Sequence, residues 1–128
     1  MTAKHILVMA GVSGLVAVAI GAFGAHGLKG KIDDSMLSAF QTGVQYHFYH
    51  TLALAFMALL LMKFPTNALF MGASWAFLLG IVLFSGSLYG LALGAPRWFG
   101  PITPLGGLSF MIGWSLWVIG AWRLNEMV

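Results

Sequence analysis

The chain has 128 residues, of which 60% are hydrophobic and 7% are charged. An ordinary soluble domain carries roughly 25% charged residues, so a fold of this size could not cover a water-exposed surface with so few charges. The net charge of +3 comes from six scattered Lys and Arg residues that form no basic stripe for nucleic acid, and the sequence contains no cysteine for disulfides, thiolate catalysis or metal ligation.

Four apolar stretches are long enough to cross a bilayer as a helix, which takes about 20 mainly apolar residues. The predicted spans, in chain order, cover about residues 5–25, 44–62, 68–93 and 105–122. The second ends before Pro65, which cannot continue a helix, and the fourth ends at Arg123, Asn125 and Glu126. The sequence therefore predicts an all-α fold in which residues 1–128 form one integral-membrane four-helix bundle with short loops.

The only substantial polar segment lies between spans 1 and 2, over residues 28–45. Asp34 or Ser35 can cap a helix there, because both side chains accept hydrogen bonds from free backbone N–H groups. We expect this helix to run continuously into span 2.

An even number of spans places both termini on one side of the membrane. Lys and Arg residues are divided three against three, with Lys4, Lys63 and Arg123 on the side of the termini and Lys29, Lys31 and Arg97 opposite. The free amine, and the position of Asp33 and Asp34 on the opposite side, favour termini in the cytoplasm.

Small residues recur at helical spacing in three spans, which is typical of helices that pack closely in a bilayer. Span 1 carries Gly14 and Gly21, span 3 carries a GxxxGxxxG row, and span 4 carries glycine at every seventh position. The row in span 3 is Gly86, Gly90 and Gly94, and the series in span 4 is Gly106, Gly113 and Gly120. We expect these glycines to pack helices within one chain, although the same spacing is found at contacts between subunits.

Polar side chains gather toward one end of the predicted bundle, where spans 1 and 3 end and spans 2 and 4 begin. His47 and His50 share a helix face because they are three residues apart. The candidate ligand-binding residues are His26, Tyr46, His47, His50, Ser87 and Tyr89. Either they hydrogen-bond neighbouring helices at the headgroup level, or they hold a proton, a quinone-like molecule or a metal ion.

The catalytic patterns of other protein classes are missing from the sequence. No Walker pattern, GxSxG motif or acid pair suited to hydrolysis is found, and no Asp or Glu lies within a span to support a histidine–metal site. We therefore predict no enzymatic activity and assign neither a cofactor nor a metal ion.

Four ordered blocks of sequence match a known family. They are GAFGAHGLKGKI (21–32), TGVQYHFYH (42–50), LFSGSLYGLAL (83–93) and GPITPLGGLSFMIGW (100–114). In order and spacing they resemble the small membrane proteins called domain of unknown function 423 or uncharacterised protein family 0382, to which transmembrane protein 256 is similar. The resemblance implies a four-span protein of the bacterial inner membrane, and it implies no reaction.

Three functions remain open. The first, which we favour, is a non-enzymatic structural or accessory component that contacts the lipid bilayer and assembles with itself or with a larger membrane complex; on this hypothesis His50→Ala leaves the fold nearly intact. The second is a small transporter or channel with a polar cavity near His26, His47 and His50 for an ion, a proton or a small amphiphile. The third is a metal- or haem-binding membrane protein.

Overall fold

The structure, a computed structural model, describes residues 1–124, so the predicted end of span 4 at Asn125 and Glu126 lies outside the described residues. The α-helices are α1 (Ala3–Phe23), α2 (Asp34–Lys63), α3 (Ala68–Gly80), α4 (Gly86–Ala92) and α5 (Ile102–Trp122). A π-helical turn, Gly24–Leu28, extends α1; a second, Ile81–Ser85, joins α3 to α4; and a 3-10 turn, Arg97–Phe99, precedes α5.

These elements form four helical segments, each long and apolar enough to cross a membrane. The second segment is a single helix from Asp34 to Lys63, as its polar start and apolar continuation predict. The described residues contain no strand. The prediction of an all-α, four-helix membrane bundle is therefore confirmed.

Helix α2 is capped by Asp33 and not by Asp34 or Ser35, the two residues expected from the sequence. The Met36 N–H donates to the Asp33 carboxylate at 2.8 Å, and the Ser35 hydroxyl donates to the same oxygen at 2.9 Å. Asp34 is the first residue of the helix, so Asp33, the residue before it, takes the capping position.

The cap makes the start of α2 sensitive to acid. The Met36 N–H, followed by the Ser35 hydroxyl, holds the pKa of the exposed Asp33 carboxyl below its ordinary value. A lowered folded-state pKa means that the carboxylate stabilises the helix start at pH values above the range in which an unfolded aspartate titrates. That stabilisation is lost as the pH falls through the lowered pKa.

Helix α2 is the central element of the bundle. It packs against α1 on one side and against α3, the π turn 81–85 and α4 on the other, whereas α5 packs mainly against α3 and that π turn. The main hydrophobic core lies among α1, α2 and α3 and includes Ile6, Met57, Leu61, Phe70 and Phe77. Because α1 and α5 each pack along one side only, they form the two edges of the bundle.

Phenylalanine residues of span 3 lie against glycines of α5. Both sets repeat every seven residues along antiparallel helices, and the contacting pairs are Phe70–Gly120, Phe77–Gly113 and Phe84–Gly106. A Cβ atom at Gly113 would lie 2.6 Å from the Phe77 ring, and one at Gly106 would lie 2.6 Å from the Phe84 Cα. These three glycines therefore allow α5 to approach span 3 closely.

The glycines of span 1 lie against α2, as the spacing predicts. A Cβ atom on Gly14 would lie 3.6 Å from the Thr51 methyl group, and one on Gly21 would lie 3.3 Å from a Val44 methyl group. These approaches are less close than those in α5, so an alanine side chain requires little or no movement of its neighbours.

The GxxxGxxxG row of span 3 does not pack spanning helices within the chain, contrary to the expectation from its spacing. A Cβ atom on Gly86 would meet no atom within 4 Å, and Gly90 faces Phe99 in the 3-10 turn rather than another spanning helix. Gly94 follows the end of α4 with φ of 97°, a left-handed conformation that favours glycine. The three positions therefore have separate roles, and spacing alone does not distinguish them from a packing row.

We expect Gly106→Ala to destabilise the bundle and Gly86→Ala to leave it at least as stable. The added methyl group at position 106 would collide with the Phe84 backbone, which cannot rotate away, and overpacking of this kind costs about 1–3 kcal/mol. At position 86 the methyl group has open space. Thermal unfolding of both variants in the same detergent measures the difference, and equal unfolding midpoints would contradict the described packing of α5.

Candidate functional site

His47 joins three helices through both of its ring nitrogens. Its Nδ1 lies 2.9 Å from the Tyr89 hydroxyl on α4, and its Nε2 lies 3.0 Å from the Ser13 hydroxyl on α1. Ser13 is in turn 2.6 Å from the Thr51 hydroxyl on α2. Ser13, His47 and Thr51 are buried, so these hydrogen bonds satisfy polar groups that have no access to water.

His50 joins α2 to α5, and its partners determine its protonation state. Its Nδ1 lies 2.7 Å from the Tyr46 carbonyl oxygen, which can only accept, and its Nε2 lies 3.0 Å from the Trp114 indole N–H, which can only donate. The ring must therefore be neutral and carry its proton on Nδ1. Its face stacks on Phe110 with a centroid distance of 3.5 Å and an interplanar angle of 9°.

These hydrogen bonds lie near the middle of the bundle, whereas the sequence pattern predicts that they lie at one rim. Ser13 is ten residues from each end of α1, or about 15 Å at a rise of about 1.5 Å per residue. Trp114 lies similarly deep within α5. Counting residues along span 2 alone places the histidines near the rim. Their partners on the edge helices α1 and α5 show that they lie deeper in the bundle.

The structure does not bring His26 to the other two histidines. His26 is exposed on the π turn 24–28, and it forms no hydrogen bond with His47 or His50 in the part of the chain that the structure describes. Within residues 1–124, no group of three or more His, Asp or Glu side chains could hold a metal ion. Both nitrogens of His47 and of His50 already have partners in the chain.

The remaining candidate residues have different environments. The Ser87 hydroxyl donates to the Phe84 carbonyl oxygen within span 3. It also hydrogen-bonds the Thr103 hydroxyl, and this bond joins span 3 to α5 near the polar end. Tyr46 is 39% exposed, and its ring lies 4.8 Å from that of Phe84 between centroids. Tyr89 belongs to the His47 hydrogen bonds, and Tyr46 belongs to the surroundings of His50.

The candidate residues inferred from the sequence do not include Ser13, Thr51 or Trp114. Ser13 is the only polar residue between His5 and His26, so its position in an otherwise apolar span was an available signal. No local signal marked Trp114, because tryptophan is common at membrane interfaces and its partner lies 64 positions earlier in the chain.

The geometry also changes the expectation for His50→Ala. An alanine at position 50 would leave the Trp114 indole N–H without its acceptor and would remove the ring that stacks on Phe110. The prediction that this variant keeps the fold nearly intact therefore does not agree with the contacts of His50.

Comparisons with known proteins agree on one family. Residues 20–107 match the family described as "Protein of unknown function (DUF423)". The chain is 47% identical to the UPF0382 membrane protein YwdK of Bacillus subtilis, over 92% of this chain and 96% of that relative. It is 43% identical to the UPF0382 inner membrane protein YgdD of Escherichia coli K12, over 98% and 95% respectively. No solved structure matches the chain.

We expect His50→Ala to lower the free energy of unfolding by about 1–3 kcal/mol, because the Trp114 indole N–H loses its acceptor where lipid tails offer no other. Tyr49→Ala is the matched control, because Tyr49 is on the same helix and its side chain is 55% exposed. Reversible unfolding in mixed micelles measures both variants. Equal losses of stability would show that the contacts of His50 contribute nothing specific.

Proposed function

Because the chain belongs to the membrane-protein family known as DUF423 or UPF0382, we propose that it is a non-enzymatic component of the bacterial inner membrane. It acts by assembling with further copies of itself or with a larger membrane complex. The packing of the edge helices α1 and α5 is the main observation that supports this proposal.

The two edge helices have broad apolar surfaces without a neighbour in the chain. Of the residues of α1, only Ile6, Ala10, Ser13 and Ala17 are buried, and large side chains such as Val12 are exposed. On α5, Val118 is 66% exposed. Lipid tails can cover such surfaces, but close packing against another helix adds van der Waals contacts that mobile lipid provides less well.

The hydrogen bonding of the histidines supports a structural role rather than catalysis, transport or metal binding. A metal ligand needs an unoccupied ring nitrogen, and a general base must lie within reach of the proton of a bound substrate. His47 and His50 each use both nitrogens to join helices, and exposed His26 stands apart from them. We therefore favour an accessory function over a transporter, a channel or a haem protein.

Single-cysteine cross-linking tests the assembly, because the natural sequence contains no cysteine. We expect Val12→Cys on α1 or Val118→Cys on α5 to form cross-links in native membranes, either to a second copy or to another subunit. Leu52→Cys on α2 is the control, because Leu52 is similarly exposed but lies on the central helix. Particles extracted with their native lipid should contain more than one polypeptide.

Two results would overturn this proposal. One is a single chain alone in the lipid particle, with no cross-link at either edge helix. The other is cross-linking at Leu52 as efficient as at Val12 and Val118, which would indicate random collisions in the membrane.

We also propose that both termini lie in the cytoplasm, based on the free amine and on Asp33 and Asp34 at the opposite end. In spheroplasts, a membrane-impermeant maleimide should label Lys31→Cys directly and Thr2→Cys only after lysis. The reverse labelling pattern would show that the termini face outward.

A further inference from the structure

Helices α2 and α5 lie on either side of span 3 and leave a groove between them. The groove has a volume of about 610 Å³. Its aromatic walls and floor are formed by Tyr46, His50, Phe84, Phe110 and Trp114. The volume is within the range of roughly 300–1,000 Å³ that is usual for small-molecule sites.

We propose that this groove binds the ring of a neutral, lipid-soluble quinone. On α5 the centre of this site lies about two helical turns from Val118, the position proposed for assembly. The orientation of the rings, the lack of charge, the Tyr46 hydroxyl and the opening toward the bilayer together define the class of ligand.

Three of the rings have similar orientations, which suits a flat ligand. The Tyr46 ring is 23° from that of His50 and 32° from that of Phe110, and the His50 and Phe110 rings are 9° apart. Aromatic rings prefer offset-stacked or edge-to-face partners. A planar ring gains these contacts, whereas an acyl chain gains no more from aromatic walls than from leucine.

The groove offers no charge to its ligand. None of its lining residues is acidic, Lys or Arg, and His50 is held neutral between the Tyr46 carbonyl and the Trp114 indole. A charged head group would therefore be desolvated without a counter-charge. The ligand must be uncharged.

Tyr46 lines the groove and brings an unpaired side-chain hydroxyl to it. This hydroxyl has no hydrogen-bond partner among residues 1–124, whereas the Trp114 N–H and both nitrogens of His50 are already paired. A phenol O–H can donate to a carbonyl oxygen. A quinone carbonyl provides this acceptor on a ring that is both flat and neutral.

The groove opens toward the hydrocarbon part of the bilayer. Leu108 and Met111 line it from α5 and are themselves more than half exposed. Gly107 contributes no side chain, and a Cβ atom there would still be 3.8 Å from the Phe84 ring, so this wall leaves room for a ligand. An isoprenoid tail can extend from the groove into the surrounding lipid.

Photoaffinity labelling of the full chain in lipid nanodiscs tests the site. The probe is an azido-benzoquinone with a decyl tail, and the competitors are the unmodified decyl-benzoquinone and decanol, which has the same tail without the ring. We expect the label on peptides that contain Tyr46, Leu108 or Met111. Decyl-benzoquinone should prevent labelling, and decanol should not.

A matched pair of tyrosine variants tests the hydrogen bond. Tyr46→Phe keeps the ring and removes the hydroxyl, so the probe concentration for half-maximal labelling should rise about fivefold, as expected for one lost hydrogen bond. Tyr49→Phe removes a hydroxyl from the same helix outside the groove and should have no effect.

The proposal fails if decanol protects as well as the quinone does, because the groove would then accept any hydrocarbon tail. It also fails if labelling lies outside the groove, or if Tyr46→Phe and Tyr49→Phe behave alike. The size of the lipid particle reports on assembly separately, so the two proposals can fail independently.

Discussion

Two buried histidines, one turn apart on α2, provide hydrogen bonds to all three other spanning segments. A polar side chain within a bilayer is costly unless it finds a partner in the protein, because lipid tails offer none. His47 finds partners on α1 and α4, and His50 finds its partner on α5. Each bond is individually modest, at about 0.6 kcal/mol on average in membrane proteins, but together they specify the order and depth of the helices.

Span 3 lies between α2 and α5 and is interrupted by a π turn at residues 81–85. A π turn contains an extra residue, so the side chains after it are rotated relative to those before it. Phe70 and Phe77 face the glycines of α5, whereas the Ser85 hydroxyl donates to the Gly43 carbonyl on α2 at 2.7 Å and Tyr89 reaches His47. Span 3 contacts α5 on both sides of the turn, because Ser109 of α5 donates to the Ala76 carbonyl before it and Ser87 bonds Thr103 of α5 after it.

The order of the helices that stabilises the bundle also creates the surfaces that both proposed functions use. With α1 and α5 at the edges, the outer surface of each is available for assembly. Because α2 and α5 both pack against span 3, a groove remains between them, and the hydrogen bond between His50 and Trp114 crosses it. The same bond that attaches α5 to α2 thus keeps the His50 ring neutral.

The number of spans, their approximate limits and the continuity of α2 were determined by the sequence, because helix formation in a membrane depends on local hydropathy and backbone hydrogen bonding. The packing of Gly106, Gly113 and Gly120 could also be predicted from their spacing. Only the tertiary structure showed that Gly86, Gly90 and Gly94 do not pack spanning helices within the chain, that His26 stands apart, and that Ser13 and Trp114 complete the histidine contacts. These features depend on how each helix is rotated and on which residues it meets from distant parts of the chain, and no local pattern specifies either.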